Sequence, residues 1–175
     1  ADQACLSSSL HQIWAIKYGS TMRADVNYSP SDVFVTFPRP EPNEELDAVG
    51  KALDVTRREI MLRRNRGLTK LYNLVNDPEI VGDPDIDRMR QLHVQLDQTV
   101  AAAYGWSDVD LDHGFHTYRQ APRWTIGPAA RVELMDQLLE ENHRRAAEEA
   151  RQSVTAARKG PRGRQRVEPE GEALF

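Results

Sequence analysis

The chain is expected to be mainly α: a bundle of three to four helices, a small α/β remnant at the N-terminus and a disordered basic C-terminal tail. Three observations predict this. Apolar residues recur at helical spacing through most of 43–157. Helix ends are marked by capping residues, most clearly Asp83-Pro84 at one end and Gly105 at the other. The β-branched and aromatic run Val33-Phe34-Val35-Thr36-Phe37 is short and stops at the alternating prolines Pro38, Pro40 and Pro42.

The elements follow in order. Ser7 to Ser9 offer N-caps for a short helix whose apolar stripe is Leu10, Ile13, Trp14 and Ile16, ending near Gly19. It opens without a Met, a turn or a linker, so the chain reads as cut from something longer. Thr21 to Tyr28 reads as extended, Ser29-Pro30-Ser31-Asp32 as a turn, and Val33–Phe37 as a strand. The proline run at 38–42 forces a stiff connector and marks the expected boundary between residues 1–42 and 43–158. Beyond it, Asn43 caps a long helix with Leu46, Val49, Leu53 and Ile60 on its buried face, and Gly67 closes it.

Thr69 then starts a helix of one or two turns. The next helix begins at Pro84 after the Asp83 cap, with Asp85 and Asp87 against the positive end of its dipole. Its apolar face is Ile86, Met89, Leu92, Leu96 and Val100. Residues 107–127 are too long for a plain connection, and Phe115/Tyr118 with Trp124/Ile126 suggest an inserted hairpin. The last helix starts at Pro128, with Val132, Met135, Leu138 and Leu139 as its apolar positions. From 159 to 175 the Pro, Gly, Arg and Glu content implies disorder.

Bulk properties narrow the function. The net charge is −4, but six cations and no acids fall in 151–166, leaving 1–150 with 17 basic and 24 acidic side chains. A basic tail of this kind reads first as a solvated end, although it can hold a phosphate backbone. No run approaches the roughly 18 apolar residues of a membrane helix, and no stretch of this sequence resembles a signal peptide. The single Cys5 fits a reducing cytoplasm.

Few residues suggest chemistry. Asp108, Asp110, Asp112, His113 and His116 partly imitate a calcium loop, without its glycine or closing glutamate, and read better as a polar turn. There is no phosphate loop, dinucleotide fingerprint or zinc-protease helix motif, and the acids read as solvated helix faces. Lys17, Tyr18, Arg23 and Asn27 stand apart. They cluster between a helix end and an extended segment, where such side chains reach phosphates or base edges.

Two stretches carry a family resemblance. Leu10-His11, Trp14, Gly19, Val26-Asn27-Tyr28-Ser29, Val33-Phe34 and Phe37-Pro38-Arg39-Pro40 form the first. The second runs from Leu68-Thr69 through Leu71-Tyr72-Asn73, Asn76-Asp77-Pro78, Leu92-His93, Leu96-Asp97 and Val100 to Ala103-Tyr104-Gly105-Trp106. Glu133-Leu134-Met135, Leu138-Leu139 and Asn142-His143-Arg144 continue it. Together they resemble the end of the target-recognition domain and the helical C-terminal segment of large adenine-specific DNA methyltransferases. These are the enzymes of Type IIL restriction–modification and DISARM-type defence systems. The resemblance covers roughly residues 6–150.

The resemblance implies double-stranded DNA as a partner, with Lys17, Tyr18, Arg23 and Asn27 in the late part of the recognition domain. It also implies a methyltransferase catalytic domain, in the same or a separate chain, that uses S-adenosylmethionine. The family's Asn-Pro-Pro-aromatic loop, which holds the extruded adenine, is not in this sequence, nor is its glycine-rich cofactor loop. The expected role is therefore recognition and bracing, without catalytic residues, cofactor or metal in this chain. The alternative is a helical protein–protein adaptor with no nucleic-acid role.

Overall fold

The computed structural model describes residues 1–22, 25–118 and 121–158. Two short helices open the chain, α1 (Asp2–Ser7) and α2 (Ser9–Tyr18), followed by strands β1 (Ser20–Met22) and β2 (Asp25–Asn27) and a π-helical turn at Pro30–Phe34. Helices α3 (Glu44–Arg64), α4 (Leu68–Val75) and α5 (Pro84–Ala103) come next. Strands β3 (Gly114–Tyr118) and β4 (Ala121–Thr125) precede α6 (Pro128–Arg158). Each strand pair is an antiparallel two-stranded sheet. The fold is mainly α, as the periodicity requires. The chain divides into two compact units, Ala1–Asn142 and His143–Phe175. In the second, Arg144 pairs with Glu148 one helical turn on, at 2.6 Å.

Helix α5 lies at the centre of the first unit. Ile86, Met89, Leu92, Leu96 and Val100 are all buried, and α3 packs along them with Leu46, Leu53 and Ile60. Each such side chain contributes about 1.5–3 kcal/mol by leaving water. The stripe is ordered by its ends. Asp83 accepts from the Asp85 and Ile86 amides, and Pro84 occupies the first turn. At the other end Gly105 takes φ +84, the Gly105 amide donates to Ala102 and the Trp106 amide to Ala101, which closes the helix in a Schellman motif. Helix α1, which the sequence did not suggest, packs on α3 at Gly50, where a Cβ would sit 2.9 Å from the Ala4 nitrogen. The proline stretch at 38–42 lies inside this unit, and the core is shared across it: Val33 and Phe37 belong to the same cluster as Leu46 and Leu96.

The α3–α4–α5 corner is held by charge. Asn65, in the left-handed conformation (φ 47), closes α3, two residues before the glycine expected to do so. Gly67 is instead the N-cap of α4, displacing Thr69 from that role. Arg64 donates to Asp85 at 2.7 Å and to Asp83 at 2.5 Å, and Arg63 also reaches Asp85. Arg64 holds the Asp83 carboxyl below the usual carboxylate range. Arg90, only 7% exposed, closes the other side: it donates to the carbonyls of Val75 (3.0 Å), Asp77 (2.8 Å) and Ile80 (2.8 Å) at the end of α4. Its guanidinium also lies over the Phe115 ring.

Two expectations fail for one reason, that neighbours decide what a propensity becomes. Val33–Phe37 is not a strand. No strand lies beside it among the described residues, while Val33 and Phe37, four apart, are both buried and Val35 is 72% exposed. That is helical spacing, and Val35 bonds back to Pro30 at 3.0 Å. Val132 is 64% exposed; the buried face of α6 is Ala130, Leu134 and Leu138. The expected disordered tail at 159–175 lies outside the described residues.

Candidate functional site

The residues singled out for DNA contact stand where α2 runs into the first hairpin. Ser8 caps α2 by accepting from the His11 amide at 3.2 Å. Leu10, Ile13 and Trp14 fix its inner face, and the Trp14 indole donates to the Thr36 hydroxyl at 3.1 Å. Tyr18, 37% exposed, rests on the Trp14 ring with centroids 4.4 Å apart, and Lys17 beside it is exposed. Gly19 ends the helix, and the hairpin register then pairs Ser20 with Asn27. The chain thus returns Asn27 to within two residues of Tyr18. The side chain of Asn27 and the whole of Arg23 lie outside the described residues.

Below this edge opens a cleft of about 630 Å3, walled by α1, α2, α3, α4, α5 and β4. Tyr28, directly after β2, connects the two: its hydroxyl meets Nε2 of His11 at 3.1 Å. A second such pair, Tyr72 and His93, lies across the cleft at 2.8 Å. Burial pushes both imidazoles below their ordinary value, with Arg39 adding to the effect at His11. Burial pushes the Tyr72 phenol up, and Arg57 opposes it. Arg57 projects from α3 with a side chain 15% exposed. Asn76 locks the far wall, accepting from the Trp124 amide at 3.0 Å and donating to the Tyr72 carbonyl at 2.9 Å.

Behind the cleft lies a residue that reading the sequence missed. Asp97 was counted with the solvated acids, yet it is 1% exposed. It accepts from the Ser9 amide and the Ser9 hydroxyl, both at 2.7 Å, and from His113 Nε2 at 2.9 Å. The available signal was its position four residues after His93, at the margin of the α5 apolar stripe.

The acidic turn resolves into local bonds. Asp110 accepts from the Asp112 amide at 3.1 Å, and His116 contacts the Asp112 carbonyl at 2.7 Å. Among the described residues no three His, Cys, Asp or Glu side chains come together in a way that could hold a metal ion. Cys5 is buried, and burial pushes its thiol up, away from nucleophilic use. No helix among the described residues is long and apolar enough to cross a membrane.

No family model matches the sequence, and no curated protein does. Among solved structures the chain is similar to the Type IIL restriction–modification enzyme MmeI, determined in complex with DNA. The two are 23% identical with a TM-score of 0.47, over 82% of this chain and 16% of that one. The chain therefore spans well under two thirds of that protein's length.

Proposed function

We propose that this chain is a DNA target-recognition and scaffold segment of an adenine-specific (N6) DNA methyltransferase in a bacterial restriction or phage-defence system. It works in the cytoplasm beside a catalytic domain that carries the Asn-Pro-Pro-aromatic loop and S-adenosylmethionine. The observation that supports this reading is the α2–hairpin edge. Lys17 and Tyr18 end a helix that is locked on Trp14, and the register sets Asn27 against Ser20 just beyond them. A cation and an aromatic at this helix end, with Asn27 next to them in the strand register, suit phosphate anchoring and base-edge contact. Helices α3 to α6 brace that edge, and the methyl transfer to an extruded adenine belongs to the partner domain.

The test is a filter-binding titration of the full chain against a pool of duplex DNA. With roughly two or three phosphates engaged, log affinity falls by about 0.9 per phosphate for each unit of log salt. Lys17→Glu should weaken retention across all sequences, and Asn27→Ala should change the preference among them. Absence of retention at low salt, in the chain and in the longer enzyme alike, overturns the proposal.

A further inference from the structure

The cleft holds a second site that DNA recognition at the hairpin edge does not use. Residues 1–150 carry a net negative charge, yet the cleft is lined by Arg57, Arg123, His11 and His93 and, among the described residues, by no Asp or Glu. Burial keeps the two imidazoles neutral near pH 7, so the guanidinium groups of Arg57 and Arg123 are the cations that give this recess its positive field. Arg57 is poorly occupied. Asp54 is 3.9 Å away, beyond the usual 2.7–2.9 Å of a charge-assisted hydrogen bond, and the Tyr72 hydroxyl is its other neighbour. Two neighbours do not use up a guanidinium's five donors, which leaves Arg57 capacity for an anion. Nδ1 of His11, in a residue only 6% exposed, is likewise buried without a hydrogen-bond partner.

We propose that this cleft binds a phosphate-bearing ligand of mononucleotide size, with the Arg57 guanidinium as the anion ligand. Size sets the second half of that statement. A volume of about 630 Å3 lies within the range of small-molecule sites and would leave a bare phosphate ion mostly surrounded by water. The planar guanidinium matches two phosphate oxygens at once. Arg123, on the exposed rim of β4, meets the ligand as it enters. The inference stands apart from the hairpin reading, because a phosphomonoester needs neither Lys17 nor Asn27.

The full chain is titrated at low ionic strength with inorganic phosphate, adenosine monophosphate and short duplex DNA, followed by tryptophan fluorescence and calorimetry. Chloride at matched ionic strength is the control. The expected result is saturable binding of the phosphate and the nucleotide, the nucleotide more tightly. Arg57→Gln should weaken both by roughly tenfold or more, as loss of a charge-assisted contact does. Arg123→Gln, which alters an exposed residue, provides the same test should Arg57→Gln lower the melting temperature. If the nucleotide displaces DNA, the natural ligand is a phosphate of the nucleic acid; if both bind together, it is a free phosphorylated molecule. No binding of phosphate or nucleotide overturns the inference, as does binding unchanged in both variants, and either can occur while DNA binding at the hairpin persists.

Discussion

Replacing Asp97 by Ala tests whether the first unit is held together by one buried carboxylate. The substitution leaves the Ser9 amide, the Ser9 hydroxyl and His113 Nε2 without their acceptor. An orphaned buried donor costs roughly 1–3 kcal/mol, but relief from burying a charge returns part of it. Ser9 is only half-buried, so water reaches part of its side. The net loss should be about 3 kcal/mol, or a fall of ~2–4 °C in melting temperature for each kcal/mol. Asp97→Asn keeps the shape and one acceptor oxygen and should lose about half as much. Urea denaturation of wild type, Asp97→Ala, Ser9→Ala and the double variant is the assay. The pair shares two hydrogen bonds, so a coupling of about 1 kcal/mol or more is expected. A loss below ~0.5 kcal/mol for Asp97→Ala, with additive single changes, would refute the reasoning.

Arg90→Lys keeps the charge but not the fork that reaches the Val75, Asp77 and Ile80 carbonyls together; a loss of about 2–3 kcal/mol is expected in the same denaturation series, and one comparable to an exposed Arg→Lys change would show that the fork is dispensable. Stability should also depend on pH through His93 and His11. Their folded values lie below the ordinary 6.5, so the unfolded chain takes up protons first as pH falls. Their contribution is complete above 6.5 and is lost as pH drops from there toward the folded values. Melting curves between neutral and mildly acid pH should show that decline, and His93→Gln should flatten it.

What could be read in the sequence was local. The Asp83 cap, Pro84 and Gly105 act within a few residues of themselves, and so does Asn43, whose side chain accepts from the Leu46 amide as its position implies. The second hairpin was visible because Phe115 and Tyr118, then Trp124 and Ile126, fall on two short segments; Phe115 and Trp124 face each other across the pair, while Ile126 lies one residue past β4. What could not be read was set by distant partners. A period-based reading assigns charged residues to solvent, so Asp97 and Arg90 dropped out, although both sit on the border of the α5 stripe. Helical burial at Val33 and Phe37 depends on the Trp14–Phe37–His11 aromatic cluster, which joins segments some 20 residues apart. That Lys17 and Tyr18 stand together at the end of α2 follows from their adjacency along the chain. The cleft was not legible, since its walls come from six elements between Leu6 and Thr125.

The arginines that crowd the second half of α3 bear on how any binding curve should be interpreted. Arg63 and Arg64 already neutralise Asp83 and Asp85, and Arg58 leans on Asp54. A tally of cations along that helix therefore overstates what is left to meet an incoming polyanion. Added electrolyte will loosen this internal corner and weaken attraction at the outer edge at the same time, through different groups. An affinity measured against ionic strength thus mixes two responses, and following the melt at each concentration is what separates them.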